Sequence, residues 1–451
     1  MALSAILITA VGILLTYGLR KFRYFLVGPR AYHILDPVNL EAVLSTNFDD
    51  YGFGARHDVF APLMGTGIFT QEGPAWKRSR ELLRSQFARA QYRNLEPFRE
   101  HVDNLIEQVS AAGPVLDLQP LFFKLTLDTT TDLLLGHSVY SLKAHQSADV
   151  NNVAFAKNFD AGQSGLAKRF RLAPWQSLYN PKHFRQACSS VHRFVEQYIE
   201  EQDLIKGDKS LLGDNESFVS QLAHDSSSNY ALRDQLLNVL IAGRDTTACC
   251  LSWTIRLLVR HPTVLQRLRG EIDAVLNPDD HPTREQIRRM PYLSYIIKES
   301  LRLFPPVPLN NRTANRHTIL PRGGGLDGKS PILVRKGELV VFSQYVNSRR
   351  KNIYGPDAEL FRPERWEGLN AAENFGWAYF PFNGGPRACL GQDFAVMEAS
   401  YTIIRLLQTF PKISLPRDED SDEKIGTEKQ RLTLVLSPAN GCRVDIGHGR
   451  I

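Results

Sequence analysis

Thirty consecutive residues, 231–260, run without a proline and stop just short of Pro262. As a helix this segment is roughly 45 Å long, at about 1.5 Å per residue. Its apolar residues lie almost all round it, so it has to be buried along most of its length, and only a thick helical body can surround it. The rest of the chain supplies helices of that kind. Pro74 stands ahead of an amphipathic run over 76–89, and 116–136 reads as a buried helix ended by glycine. A further helix follows His261-Pro262, another over 292–303 is stopped by Pro305-Pro306, and the last, 390–410, starts directly after Cys389. Between 140 and 213 the pattern is broken by Pro174 and Pro181, and the segment reads as loops and short helices. Strand signals are short: 332–334 and 338–343, linked by Arg335-Lys336-Gly337, and 431–436 near the end. There is no internal repeat and no linker. The fold class expected is mostly α, a single large helical domain over 22–451 with small β-sheets.

The first segment stands apart. Residues 2–19 carry no charge, and as a helix they span about 27 Å, close to the hydrocarbon thickness of a bilayer. Arg20, Lys21 and Arg23 follow at once, which by the positive-inside rule leaves the remainder on the cytosolic side. A cleaved signal peptide is the competing reading. It needs a basic start, a shorter apolar core and a small-residue cleavage site, none of which is clear here. The expectation is therefore an N-terminal transmembrane helix over 1–21. The five cysteines, Cys188, Cys249, Cys250, Cys389 and Cys442, form no C-x-x-C pair and are odd in number. That pattern suits a reducing compartment and leaves at least one thiol free for chemistry. A net charge of +6 fits a membrane surface or an acidic partner, and equally a slightly basic globule. No basic block is dense enough to indicate nucleic acid.

One loop carries the chemistry. In Phe382-Asn383-Gly384-Gly385-Pro386-Arg387-Ala388-Cys389-Leu390-Gly391, glycines and a proline shape a tight turn ahead of a helix. A cysteine at a helix N-terminus is favoured as thiolate by the dipole and the backbone N–H groups. With no partner cysteine, such a thiolate suits a single axial bond to haem iron; an isolated cysteine is otherwise a buried structural thiol. Three further motifs lie ahead of this loop in the chain. Ala242-Gly243-Arg244-Asp245-Thr246-Thr247 places a glycine and polar groups inside the long helix, which is costly unless the ladder opens for a ligand or the helix kinks against its neighbours. Glu299 and Arg302 share a helix face at i, i+3, usually a solvated pair of little worth. Trp76 and Arg80 share another face, read plainly as an anchor aromatic beside a solvated arginine.

The cysteine loop fits F-x-x-G-x-R-x-C-x-G at every fixed position, and the chain so resembles the haem-thiolate monooxygenases of the cytochrome P-450 superfamily. The resemblance covers roughly Phe25 to the C-terminus. It implies the cytochrome P-450 fold, haem b as cofactor and Cys389 as axial ligand to its iron. It further implies that Arg387, Trp76, Arg80 and Arg312 contact the haem propionates, that Phe382 packs beside the sulfur and that Gly391 lets the porphyrin approach closely. Thr246 and Asp245 then belong to the oxygen-activation segment, relaying protons through water. Glu299, Arg302 and Arg365 form the structural triad that locks the cysteine loop. Within the superfamily the chain is similar to the fungal microsomal alkane and fatty-acid ω-hydroxylase branch. Leu232-Arg233-Asp234-Gln235-Leu236-Leu237-Asn238, Asn311-Arg312-Thr313-Ala314, Leu320-Pro321-Arg322-Gly323-Gly324-Gly325 and Gly376-Trp377-Ala378-Tyr379-Phe380-Pro381-Phe382 carry that likeness.

The implied reaction is monooxygenation of a long apolar substrate at the endoplasmic reticulum membrane. Leu240, Ile241, Val307, Leu309 and Ile68 are candidate pocket residues. Electrons come from NADPH through the cytochrome P-450 reductase, with cytochrome b5 as an optional second donor. The reductase docks on a basic face for which Arg78, Arg84, Arg89 and Arg93 are candidates. Relatives in this branch also oxidise alkyl chains in secondary metabolism. A haem-thiolate peroxide isomerase or an inactive haem-binding remnant are the rival readings. One departure from the family pattern is expected: Phe25-Leu26-Val27-Gly28-Pro29-Arg30 resembles the family's second strand, so the N-terminal hinge and first sheet edge are missing. Replacing Cys389 by Ser is expected to abolish the ferrous–CO absorption band at about 450 nm that thiolate ligation confers. Persistence of that band in the variant spectrum means that the ligand lies elsewhere.

Overall fold

The computed structural model describes residues 29–92, 95–143, 150–206, 228–368, 375–420 and 424–447, together with Val219 and Leu222. The anchor expected over 1–21 and most of the 25–30 segment lie outside the described residues. Among the described residues, no helix is long and apolar enough to cross a membrane. The chain divides into two compact units. One is Met1–Ala55 with Asn311–Phe342, and the other is Arg56–Asn310 with Ser343–Ile451.

Numbered in chain order, the principal helices are α1 (Arg56–Met64), α2 (Gly73–Tyr92), α3 (Glu96–Ala111), α4 (Gln119–Leu135) and α5 (Val150–Arg171). They continue as α6 (Lys182–Lys206), α7 (Asn229–Arg260), α8 (Pro262–Val275), α9 (Pro291–Leu303) and α10 (Gln392–Thr409). The strands are β1 (Ala31–Ile34), β2 (Tyr51–Gly52), β3 (Val115–Asp117), β4 (Asn310–Ala314) and β5 (Thr318–Gly324). After them come β6 (Ser330–Val334), β7 (Leu339–Phe342), β8 (Gln430–Leu432), β9 (Leu436–Pro438) and β10 (Arg443–Asp445).

In the smaller unit a four-stranded sheet runs in the order β1-β7-β4-β2, and β5 pairs with β6 beside it. β1 and β7 are parallel, Ala31 facing Leu339, while β2 and β4 are antiparallel. The two strands expected on either side of Arg335-Lys336-Gly337 therefore do not pair with each other. Gly337 takes φ 86, a left-handed value that glycine accepts without strain, and the turn it makes sends the chain from one sheet to the other.

The larger unit is built round α7, as its apolar circumference requires. Ser228 caps its start by accepting from the Ala231 N–H, and Pro262 stops it after His261. Trp253 lies inside the core cluster, stacked on Phe304 with ring centroids 3.9 Å apart, and its indole N–H donates to the Leu436 carbonyl at 3.0 Å. A single continuous core joins α7 to α3, α4, α8, α9 and α10.

The structure departs from four expectations. The run 116–136 is not all helix. Its first residues form β3, paired with β10, because Asp117 accepts from the Gln119 and Cys442 N–H groups, and the helix begins only after that turn. Residues 140–213 hold two long helices, α5 and α6, rather than short ones. Pro174 and Pro181 fall between them, as punctuation and not as interior breakers. The 431–436 run is a hairpin, β8 and β9, folded at Thr433, whose N–H donates to the Val435 carbonyl. The last helix starts at Gln392 and leaves Cys389 in the preceding loop.

Close packing of α5 on α6 depends on Gly165. A Cβ there would stand 2.1 Å from Cδ2 of the wholly buried Phe184 ring. Overpacking of this sort costs about 1–3 kcal/mol, against about 1 kcal/mol gained in helix propensity. Gly165→Ala is expected to lower the urea midpoint, and Phe184→Leu in the same chain to recover most of the loss.

Candidate active site

The cysteine loop is held by backbone bonds its sequence makes possible. Asn383 and Gly385 both take left-handed φ values, 61° and 64°, and Pro386 enters a single 3₁₀ turn, Gly385–Arg387. The Cys389 N–H then donates to the Phe382 carbonyl at 2.9 Å, closing the loop. Phe382 itself packs against the main core. A Cβ on Gly384 would come within 2.3 Å of the Trp377 ring, so the apolar strip 376–382 presses directly on the turn.

Of the five cysteines, Cys389 alone is exposed. Burial pushes the thiols of Cys188 and Cys250 up to about 12. Burial also raises Cys389, because the protein packed round its sulfur hydrates it poorly even though the residue is open on one side. The Gly391 backbone N–H and Arg80 pull it down. The thiolate preference expected from a helix N-terminus is thus outweighed in the protein itself, since α10 starts three residues further on.

Trp76, Arg80 and Arg387 come together beside this loop. The Arg387 guanidinium lies 4.2 Å from the Trp76 ring centroid and Arg80 lies 5.9 Å from it. Arg387 donates to the Gln71 carbonyl at 3.1 Å and to Ile68 at 3.5 Å. The structure adds a cation that sequence reasoning missed. Burial, and then the nearby Arg387, lower Arg56 to about 9, with Glu72 opposing them, and Arg56 donates to Asn310 Oδ1 at 2.7 Å. No motif marks Arg56; only the fold brings it to Arg387. Burial lowers Arg80 as well. Three partly desolvated guanidiniums crowded beside one open cysteine fit a group carrying two carboxylates and a metal that takes a single sulfur ligand. Gly391 would meet only Phe87, at 3.4 Å, if it carried a Cβ, so the protein's own packing does not require glycine there. Arg312 belongs to the smaller unit, buried with its guanidinium 5.1 Å from the Phe53 ring and 5.6 Å from Phe342.

The motif 242–247 sits inside an α7 that continues without a break. Gly243 is needed for close approach: a Cβ would lie 2.8 Å from Thr130 Oγ1 on α4. Thr246 is half-buried and donates to the Ala242 carbonyl at 2.7 Å. Burial raises the Asp245 carboxyl to about 6, and the Arg244 guanidinium, 3.2 Å away, opposes it. Arg244 also reaches Asp160 on α5 at 2.6 Å, so this ion pair extends from the long helix to an exposed carboxylate.

Glu299, Arg302 and Arg365 form a buried cluster, not the solvated pair their spacing alone suggests. Arg302 grips both oxygens of Glu299 at 2.8 Å, Arg365 reaches it at 3.3 Å, and the Trp366 indole N–H donates to it at 2.9 Å. Arg365 also donates to the Tyr354 carbonyl, and the Tyr354 hydroxyl donates to Ala378 at 3.1 Å, which ties the cluster to the strip before the cysteine loop.

An open cysteine in a glycine loop, set beside a guanidinium cluster within a helical body built on one long helix, defines a haem-thiolate protein. The family described as Cytochrome P450 matches residues 20–440. A "Cytochrome P450" of Arthroderma benhamiae is 46% identical over 435 residues, covering 95% of this chain and 84% of that one. "Cytochrome P450 52A13" of Debaryomyces hansenii is 43% identical, covering 85% and 76%. "Cytochrome P450 monooxygenase himC" of Aspergillus japonicus is 40% identical, covering 95% and 75%. The solved structure titled "Crystal structure of cytochrome P450DA heme domain" superposes with a TM-score of 0.77 at 23% identity, covering 92% of this chain and 87% of that one. The chain belongs to the cytochrome P450 family, and it is a monooxygenase that uses haem b.

Glu398 is a further group that the sequence did not single out. On α10 it is wholly buried, hydrogen-bonded by the hydroxyls of Thr129 and Thr247, and burial raises its carboxyl from 4.5 to about 8. The folded protein keeps this proton where the unfolded chain has released it. The group's contribution to stability is therefore whole below about pH 4.5 and is lost as pH rises through about 8, with a slope up to roughly 1.4 kcal/mol per pH unit. Glu398→Gln is expected to flatten that decline, measured as urea midpoints at pH 5 and pH 8. Parallel profiles for variant and wild type contradict the assignment.

Proposed function

We propose that this monooxygenase inserts one oxygen atom of O2 into a C–H bond of a long apolar chain, whether fatty-acyl, alkane or the alkyl part of a secondary metabolite. The single observation that carries the site is the open Cys389 beside Arg387, Trp76 and Arg80. Bound there, haem b would supply the oxygen-reducing and C–H-oxidising chemistry. Cys389 would provide the sulfur ligand to its iron. Arg387, Arg80 and Trp76, joined by Arg56, hold the two carboxylates.

Protons are handled by α7. Thr246 presents a hydroxyl whose own proton is held on the Ala242 carbonyl. Asp245, raised to about 6, exchanges a proton near neutral pH, and Arg244 links it towards Asp160. Leu240, Ile241 and Ile68 are buried apolar groups suited to an alkyl chain, while Val307 and Leu309 remain partly open. Electrons from NADPH arrive through a flavoprotein reductase on the face of α2 that exposes Arg78 and Arg84. Arg93 and the Arg89 side chain lie outside the described residues. Residues 1–21 are proposed to anchor the chain in the endoplasmic reticulum membrane, and the phrases shared with ω-hydroxylases support the substrate class.

Thr246→Ala separates this function from peroxide isomerisation. The Thr246 oxygen, its own proton held on Ala242, can accept from a water that carries the proton, and loss of that positioned donor costs about 10²–10⁴-fold in the step it serves. NADPH consumption by the reconstituted variant is expected to continue while hydrogen peroxide rises and hydroxylated product falls. An isomerase receives its O–O bond ready-made and is insensitive to the change. Equal product per NADPH in variant and wild type overturns the assignment.

A further inference from the structure

The phrase Leu232-Arg233-Asp234-Gln235-Leu236-Leu237-Asn238 opens the buried part of α7, and neither ligation nor proton delivery uses its polar residues. Asp234, Gln235 and Asn238 are all buried. Positions i, i+1 and i+4 fall within an arc of about 100° round a helix, and the loop between α1 and α2 runs along that arc. Asp234 Oδ2 accepts from the Thr66 N–H at 2.7 Å, Gln235 Oε1 from Ile68 at 3.2 Å and Asn238 Oδ1 from Phe69 at 3.0 Å. Asn238 Nδ2 donates back to the Met64 carbonyl at 2.8 Å. Gln235 Nε2 donates to Ser79 Oγ at 2.5 Å, and Ser79 donates to Gln71 Oε1 at 2.6 Å.

The fit is close enough to dictate sequence on the loop side. A Cβ on Gly65 would lie 2.0 Å from Asp234 Oδ2, and one on Gly67 2.3 Å from Asn238 Nδ2. Gly65 also has φ 55. Positions 65 and 67 therefore accept no side chain larger than glycine's while Asp234 and Asn238 hold the loop. Its far end meets the cofactor-binding residues, because the carbonyls of Ile68 and Gln71 are the acceptors for Arg387.

We propose that Asp234, Gln235 and Asn238 act as a clamp of positioning residues. They fix residues 64–71, and with them both the apolar wall at Ile68 and the orientation of Arg387. Substrate fit and the carboxylate-binding cation are thus set by one polar stripe on the long helix. The clamp rests on geometry alone, while its effect on substrate rests on the long-chain reading above.

The test uses full-length, haem-loaded Asn238→Leu and Asp234→Leu, with Asp234→Asn as the conservative partner that keeps an oxygen for Thr66. Amide hydrogen exchange is followed in peptides covering 64–71 and 119–135, and dodecanoic acid is titrated by its effect on the haem absorption band. In both leucine variants, exchange over 64–71 is expected to quicken about tenfold while 119–135 is unchanged. Dodecanoate binding should weaken about tenfold with the band at about 450 nm retained. Asp234→Asn should recover most of both effects. Unchanged exchange over 64–71 overturns the clamp. So does acceleration spread equally over both peptides with loss of the band, which marks a role in folding only. Local acceleration with unaltered dodecanoate binding overturns the positioning of substrate. If wild type gives no response to dodecanoate while exchange behaves as expected, the clamp stands and the long-chain reading fails.

Discussion

Glu299 is a wholly buried carboxylate, and the segments around the cysteine loop are organised by the need to neutralise it. Two guanidiniums, an indole N–H and the Arg362 backbone N–H all converge on its two oxygens. Arg302 spends its remaining donors on the carbonyls of Ser348, Ala358 and Leu360, and Arg365 on those of Tyr354 and Asp357. A buried ion cluster of this kind adds little to stability beyond an apolar core. Removing one member strands the others, at about 3–5 kcal/mol. Its value here is positional: carbonyls far apart in sequence are drawn to one point, and Tyr354 passes that order on to Ala378, just before the cysteine loop.

The long helix α7 divides its labour along its length. Its first turns carry polar groups that meet a loop, followed by the apolar pair Leu240 and Ile241. Then comes the segment at Gly243–Thr246, and last the aromatic stack at Trp253. Each departure from an all-apolar helix is met by a particular neighbour. Thr130 lies against Gly243, Asp160 reaches Arg244, and the hydroxyl of Thr247 reaches Glu398. Buried polar groups cost several kcal/mol unless satisfied, so these contacts restrict how α4, α5 and α10 can pack on α7.

The site mixes two electrostatic regimes. Near Cys389, cations crowd together with their pKa values depressed by burial, in a setting that favours an anionic group. Along α7 and α10, carboxyls are raised by burial, Asp245 to about 6, within reach of neutral pH, and Glu398 to about 8, so that Glu398 keeps its proton at neutral pH. Both follow from desolvation, which penalises whichever charge the group would otherwise carry.

The sequence by itself determined the helical class, the long central helix, the cysteine loop and most of the residues that gather round it. These features are local: a proline-free apolar run, a fixed spacing of glycine, arginine and cysteine, and tryptophan four residues before arginine are all legible in one dimension. Tertiary structure decided what needs partners distant in sequence. Residues 332–334 and 338–343 read as strands from the sequence, but which strand each pairs with was not legible, because pairing depends on which edges are free in space. The prolines in 140–213 looked like interior breakers, but whether a proline ends a helix or interrupts it is settled by packing on either side. Arg56 and Glu398 carry no motif, and the stripe at Asp234, Gln235 and Asn238 showed itself only as a likeness. Each acts through desolvation or hydrogen bonds made by segments far away in sequence, and these exist only once the chain has folded.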